Sequence, residues 1–387
     1  MIYKVGIIGL GEISSVYINH LKQYGGILEL YGCACRSLDK AQRIADEYGI
    51  QKAYASGEEL IADPTIDVIL NLTTPDAHYA LNKAALESGK HVYSEKPLAV
   101  TFKEAAELVA IASGRGLSLG CAPDTFMGGR QQTWRRLLDE GALGTLFGGT
   151  AAMVCHGFEW EHPNPEFLYQ PGAGPLMDMG PYYVTALCAL MGPVEEVSAM
   201  ASQGSQTREI LAGPRKGEAF TVHPELMTHL IANLRFRSGA LVSMIMSFDV
   251  WDSGLPRMEL YGTKATLCMK EEDPDMGPAV FGGDVLMRNK ENYRWRSLAR
   301  EEAGSDWIHV PVTHGHTSVS EFENSRGIGL VDQLLALREG RAARASGAMA
   351  LHTLEVLEGV LSSARSNAPV RMHTSFERPD PVPEVFP

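Results

Sequence analysis

The sequence predicts an α/β protein built in two parts: a doubly wound parallel sheet, followed by an α/β region with a large, mostly antiparallel open sheet. Two observations predict this. Strand-like and helix-like runs alternate through the first 121 residues, and after about residue 122 long β-type runs separated by Gly-bearing turns take over. Strands that alternate with helices pair in parallel through right-handed crossovers, whereas strands joined by short turns pair antiparallel. The chain of 387 residues is long enough for two cores. The change of texture divides it into 1–121 and 122–387, with C-terminal helices over about 328–365 able to pack back on the first part.

The elements follow in order. Residues 2–8 (IYKVGII) form a β-branched run, and 13–24 read as a helix. A second strand at 28–35 leads into a helix at 38–48 with apolar residues at helical spacing. The apolar run 66–72, a helix at 76–88 stopped by Gly89, a short strand at 90–93, a helix at 101–113 and a strand at 117–121 complete the first part. In the second, 129–140 reads as a helix ending at Gly141, and β-type runs cover 145–156, 193–203, 226–237, 240–250, 257–262 and 265–269. Helices are expected at 176–191, 328–339 and 347–365, and the Pro-rich end from 366 is expected to be extended.

Composition excludes several classes. Lys and Arg number 34 against 47 Asp and Glu, a formal charge of −13, which opposes nucleic-acid or anionic-membrane partners because both need positive surface. No apolar stretch approaches membrane-spanning length, and with the first strand beginning at Ile2 no secretory leader is expected. The six Cys, at 33, 35, 121, 155, 188 and 268, form no CxxC pair and read as buried thiols of a cytoplasmic protein. No metal site is expected; His156, Glu159 and His162 match no standard ligand spacing.

The first strand–helix junction carries Gly9-Leu10-Gly11-Glu12-Ile13-Ser14. A glycine at 9 permits a tight turn, and one at 11 lets backbone approach a pyrophosphate stabilised by the helix N-terminus. Ser14 replaces the usual third Gly or Ala but is still small. This is the dinucleotide-binding turn of a Rossmann sheet. At the end of the second strand stand Cys35, Arg36 and Ser37, with no acid until Asp39. A carboxylate there would hold a ribose 2′-hydroxyl; Arg36 and Ser37 suit a 2′-phosphate, so NADP(H) is favoured, with NAD(H) still possible.

Further along come Thr73-Thr74-Pro75-Asp76-Ala77-His78 and Ser94-Glu95-Lys96-Pro97. With the phosphate loop, these resemble the glucose–fructose oxidoreductase/inositol dehydrogenase/rhizopine-catabolism (Gfo/Idh/MocA) family, and the likeness continues through GPLMDMGPYY (174–183), SFDVW (247–251), YGTKATL (261–267) and the region 326–347. The resemblance implies an NAD(P)-dependent oxidoreductase that moves hydride between nicotinamide and a secondary alcohol or ketone of a sugar, polyol or sugar derivative. It implies cofactor contacts from Gly9, Gly11, Glu12, Ile13, Arg36, Ser37, Thr73, Thr74, Pro75, His78, Glu95, Lys96 and Pro97, with His78 fixing its loop rather than doing chemistry.

Alcohol oxidation needs a proton acceptor and a group to hold the developing alkoxide. Lys96 suits the second task. Asp178 and Tyr182 lie four apart on one helical face. The family usually has His at the latter position, so this chain places a phenol where the family places an imidazole. Lys96 and Tyr182 are expected as the acid/base pair and Asp178 as a hydroxyl anchor. Substrate contacts are also expected from Asp124, His156, Trp160 and His162, because sugars favour an aromatic face beside hydroxyl partners. His314 and His316 precede a region that the family uses near the site. The partner implied is a small carbohydrate. A homodimer or homotetramer through the C-terminal sheet is expected from the apolar run Met244-Ile245-Met246, which suggests burial on both faces. Two alternatives share the scaffold: a glycosidase that uses NAD transiently, and a non-catalytic cofactor-sensing regulator.

Overall fold

The computed structural model describes residues 1–270, 280, 282–292, 307–314, 326–384 and 386. The chain divides into two compact units: Met1–Gly128 with Phe322–Glu355 and Thr374–Pro387, and Gly129–Glu321 with Val356–His373.

The first unit is built on β1 (Tyr3–Ile8), β2 (Leu28–Ala34), β3 (Lys52–Tyr54), β4 (Val68–Asn71), β5 (His91–Ser94) and β6 (Leu119–Cys121). These form one sheet in the order β3-β2-β1-β4-β5-β6, and every pairing is parallel. The helices between them are α1 (Glu12–Leu21), α2 (Leu38–Tyr48), α3 (Gly57–Ala62), α4 (Pro75–Glu87) and α5 (Phe102–Arg115). Their ends follow local chemistry. Ser37 caps α2 by accepting from the Lys40 N–H, Gly49 closes α2 in the left-handed region, and Thr101 with Glu104 forms a capping box on α5. Strand β3 and helix α3 carry no clear signal in the sequence. They are three and six residues long, too short for a periodic signal.

The second unit begins with α6 (Gly129–Asp139), β7 (Leu146–Val154) and α7 (Gly174–Met191), followed by β8 (Val194–Ser202), β9 (Thr207–Glu209), β10 (Ala219–Thr221), β11 (His229–Phe236), β12 (Leu241–Ser247), β13 (Met258–Gly262), β14 (Ala265–Met269), β15 (Val285–Asn289) and β16 (Ile308–Val310). Helix α8 (Ile328–Glu339) belongs to the first unit, and α9 (Gly347–Ser366) starts in the first and ends in the second; β17 (Val370–Arg371) is the final strand. The large sheet runs β16-β15-β14-β13-β7-β12-β11-β8-β17. It is antiparallel except at β7–β12. Strands β9 and β10 form a separate two-stranded ribbon, unseen in the sequence because each is three residues long.

One face of the large sheet is a core. Leu230, Ala232, Leu234, Val242, Met244 and Met246 are buried there. Their partners in register show the opposite face. Ile231 lies across from Met200 and Ile245, and Met200 and Ile231 are exposed, as is Leu241 at the start of β12. The expected burial of β11 and β12 on both faces is therefore absent within one chain; strict alternation puts Met244 and Met246 inside and Ile245 on the other side.

The C-terminal stretch is extended, as expected, and is pinned down. Thr374 donates to Glu355 through its N–H at 2.9 Å. The Arg344 guanidinium donates to the carbonyls of Asp380 and Pro381, and Val382 and Phe386 are buried.

Candidate active site

In the first unit the named residues gather at one edge. Gly9 to Ile13 follow β1, Cys35 to Ser37 follow β2, Thr73 to Pro75 follow β4, and Glu95 to Pro97 follow β5. All four turns lie at the carboxyl ends of parallel strands. The strand order reverses between β1 and β4, and that switch point is where open parallel sheets leave a crevice for a ligand.

The glycines fit a dinucleotide. Gly9 sits at φ 98°, and a Cβ there would lie 2.5 Å from the Leu72 carbonyl, so only glycine lets β1 turn against β4. A Cβ on Gly11 would meet nothing within 4 Å; that open space is what a phosphate needs to approach backbone. Gly11 also caps α1 without any side-chain cap; the Ser14 N–H turns back to the Gly11 carbonyl at 3.2 Å, leaving the Glu12 and Ile13 N–H groups to an anion. Arg36 is exposed. The Ser37 Oγ accepts from Lys40 and keeps its own proton to donate. The Thr74 hydroxyl, foremost, and Arg36, in lesser part, hold the Asp76 carboxyl below its ordinary value.

Two of the residues expected to contact the cofactor tie the loops together. His78 is fully buried, with Nδ1 2.6 Å from the Pro97 carbonyl and Nε2 2.9 Å from the Thr73 carbonyl. It ties the turn after β4 to the turn after β5. Glu95 is buried too. Its Oε1 accepts from the Tyr17 hydroxyl at 2.8 Å and from Arg326 at 3.3 Å, and its Oε2 accepts from the Lys96 N–H at 2.8 Å. Burial raises this carboxyl, but Arg326, Lys96 and the Tyr17 hydroxyl outweigh burial and hold it below the ordinary value. Glu95 thus locks the backbone of Lys96 to α1, the helix that opens at the phosphate loop.

Asp124, expected as a substrate contact, is buried as well. Its Oδ2 accepts from the Gly327 and Gly329 N–H groups at 2.8 and 2.9 Å. Gly327, the N-cap of helix α8, brings no side-chain cap of its own, so Asp124 caps the helix from a distant part of the chain. Sequence places Asp124 after a strand, and only the tertiary structure delivers a helix end to it.

In the second unit Asp178 and Tyr182 share one face of α7. This helix is buried along its length except at Met177 and Asp178. Pro181 inside it offers no N–H to the Met177 carbonyl. Asp178 is therefore the one charged group of a buried helix that still reaches solvent, while Tyr182 lies buried one turn on.

The segment after β7 holds His156, Trp160 and His162, and its base is an ionic cluster. Glu159 is buried and accepts from the Tyr169 hydroxyl at 2.8 Å and from Arg208 at 2.7 Å. Arg208, on β9, also donates to Asp249 at 2.6 Å and to the Phe248 carbonyl. The loop wraps this cluster so tightly that a Cβ on Gly157 would stand 2.0 Å from the Tyr169 hydroxyl. Trp160 is 66% exposed and donates from Nε1 to the Gly157 carbonyl at 3.2 Å. His162 accepts from the Asn164 N–H and meets the Phe167 ring edge-on. Sequence reasoning missed Arg208, which sits in a three-residue strand and carries no motif, and gave Trp251 no role beyond its place in the SFDVW segment. Of the two histidines expected near the site, His314 is buried and His316 lies outside the described residues. Among the described residues no group of three or more His, Cys, Asp or Glu could hold a metal.

A phosphate-binding turn at the switch point of a parallel sheet, with a lysine loop two strands away, defines an oxidoreductase with an NAD-binding Rossmann fold. Residues 3–122 match the oxidoreductase family with NAD-binding Rossmann fold, and residues 131–268 match the Gfo/Idh/MocA C-terminal domain. The chain belongs to the Gfo/Idh/MocA family. It is 29% identical over 274 residues to 1,5-anhydro-D-fructose reductase of Ensifer adhaerens, covering 68% of this chain and 74% of that protein. It is 35% identical over 180 residues to trans-1,2-dihydrobenzene-1,2-diol dehydrogenase of Oryctolagus cuniculus, covering 44% of this chain and 52%, about half, of that protein. The apo form of levoglucosan dehydrogenase superposes with a TM-score of 0.78 over 97% of this chain and 100% of its own, at 19% identity, which shows a common fold. No described helix is long and apolar enough to cross a membrane.

Proposed function

We propose that this protein is an NADP(H)-preferring oxidoreductase acting on a secondary alcohol or ketone of a sugar, polyol or sugar derivative. The observation that carries the reading is the convergence, at the carboxyl ends of β1, β2 and β5, of an open glycine turn, an exposed Arg36 and the Lys96 loop. The relatives named as a sugar reductase and as dehydrogenases support the reaction class.

The backbone of Gly9 to Ile13 and the N-terminus of α1 take the pyrophosphate. Arg36 and Ser37 take the 2′-phosphate, and no carboxylate stands at the end of β2 to repel it. The nicotinamide, when bound, supplies or accepts the hydride. Lys96 stabilises negative charge on the carbinol oxygen, Tyr182 exchanges its proton, and Asp178 accepts from a substrate hydroxyl. His156, Trp160 and His162 contact the substrate. Glu95 and His78 act through other groups, by setting the backbone of Lys96 and Pro97. The exposed row of Met200, Ile231 and Leu241 is covered by a second copy of the chain. The six free thiols suit a reducing cytoplasm.

The test is a fluorescence titration of the purified protein with NADPH and NADH. NADPH is expected to bind more tightly, and Arg36→Ala to weaken NADPH about tenfold or more while leaving NADH unchanged, as for loss of a charge-assisted contact. Binding of neither nucleotide overturns the reading. Light scattering at micromolar concentration checks the assembly, and a monomeric mass rejects it.

A further inference from the structure

Trp251 follows β12 and is 79% exposed. An indole left in water forfeits much of its burial energy, so its placement calls for a use. One face of the ring is already occupied: it lies flat on the imidazole of His156, with centroids 3.4 Å apart and planes 16° from parallel. The outward face is therefore held in a fixed orientation.

What fixes it is Arg208. Its Nη1 lies 3.4 Å from both the His156 Nδ1 and the His156 carbonyl, and the same guanidinium grips Glu159, Asp249 and the Phe248 carbonyl. Asp249 in turn accepts from the Thr228 hydroxyl at 2.6 Å. One buried cation thus joins the segment carrying His156 to the segment carrying Trp251. Burial, and then the Arg208 charge, push the His156 imidazole below its ordinary value, so at neutral pH the stack consists of two uncharged rings.

We infer that Trp251, stacked on His156 and set in place by Arg208, is a binding subsite for one pyranose ring of the substrate. This rests on the carbohydrate reading above and deepens it. A sugar ring presents a face of polarised C–H groups that suits the electron-rich face of an indole. A single exposed indole has the area of one ring, and its chain neighbour Asp252, which accepts from the Ser253 N–H, supplies a carboxylate for hydroxyl groups. A protein partner would need a far wider surface, on the order of 800 Å² per side. In this assignment Trp251 touches substrate and Arg208 is a positioning residue.

The test uses the full-length enzyme with NADP⁺ and NADPH, and D-glucose, D-xylose and 1,5-anhydro-D-fructose as probes. Trp251→Ala is expected to raise KM about fivefold with kcat unchanged, and Trp251→Phe to restore KM to within about twofold. Arg208→Lys, which keeps the charge but not the fork, is expected to raise KM in the same way, with no further rise when combined with Trp251→Ala. Saturating sugar is expected to change the tryptophan emission of the wild type, and that change is expected to shrink in Trp251→Phe, with the remainder lost when Trp160→Phe is added, while turnover persists. An unchanged KM in Trp251→Ala overturns the proposal. So does a fall in assembly mass in that variant without a change in KM, which would make Trp251 a subunit contact. A wild-type enzyme that binds the nucleotide but turns over none of the probes overturns the carbohydrate reading, and this subsite with it.

Discussion

Each unit fixes its candidate loop with a buried Tyr–Glu–Arg cluster. In the first unit Tyr17 and Arg326 hold Glu95; in the second Tyr169 and Arg208 hold Glu159. The difference lies in the second carboxylate oxygen. Oε2 of Glu95 accepts the Lys96 N–H, so the cluster sets the backbone of a residue proposed for chemistry. Oε2 of Glu159 is buried with no hydrogen-bond partner among the described residues, and its cluster works through Arg208, which grips two segments bearing aromatic rings. The first arrangement places one functional group; the second shapes a surface. A chemical step needs placement of a single atom within a fraction of an ångström, whereas ring stacking tolerates lateral error.

The comparison can be sharpened first where the effect is largest. Lys96→Ala is expected to lower kcat by roughly 10²- to 10⁴-fold, whereas Trp160→Ala changes KM about fivefold; steady-state kinetics distinguish them, and similar losses in kcat would erase the contrast. Stability comes next. Glu159→Ala removes a carboxylate from an arginine whose side chain is 3% exposed, and Glu95→Ala from one that is 12% exposed. The first is expected to cost about 3 kcal/mol and the second about half of that, read from urea midpoints; the reverse order would mean that Asp249 alone satisfies Arg208. Smaller still, Tyr17→Phe and Tyr169→Phe are each expected to cost about 1 kcal/mol, one hydrogen bond to a buried carboxylate.

The smallest effect is in pH. Burial lowers the imidazoles of His20 and His91 in the first unit and of His156 in the second. A group with a depressed native value contributes stability that is fully present above the unfolded value of 6.5 and is lost as pH falls through the native one. His91 accepts the Ser118 N–H on Nδ1 at 2.9 Å, a bond that protonation breaks. Thermal midpoints are expected to fall between pH 7.5 and pH 5.5, and the fall to shrink in His91→Gln; an unchanged difference would remove His91 from the account.

Much of the first unit was legible because its elements are long and its turns chemically marked. The phosphate loop, the helices that start near 76 and 101 and the lysine loop all sit where local chemistry puts them. Glu95 was legible as a motif member but not in its role, since its partners Tyr17 and Arg326 lie 78 and 231 positions away. In the second unit the long strands were legible from alternation, and the β9–β10 ribbon was not.

The sequence by itself determined the two-part architecture, the dinucleotide turn and the family, because hydrophobic period, glycine placement and short motifs are local properties of a chain. Only the tertiary structure decided that Asp124 caps α8, that Glu95 serves Lys96 through its backbone, and that Arg208 joins His156 to Trp251. The physical reason is that a buried charge must find its partners wherever the fold brings them, and no spacing along the chain records where that is.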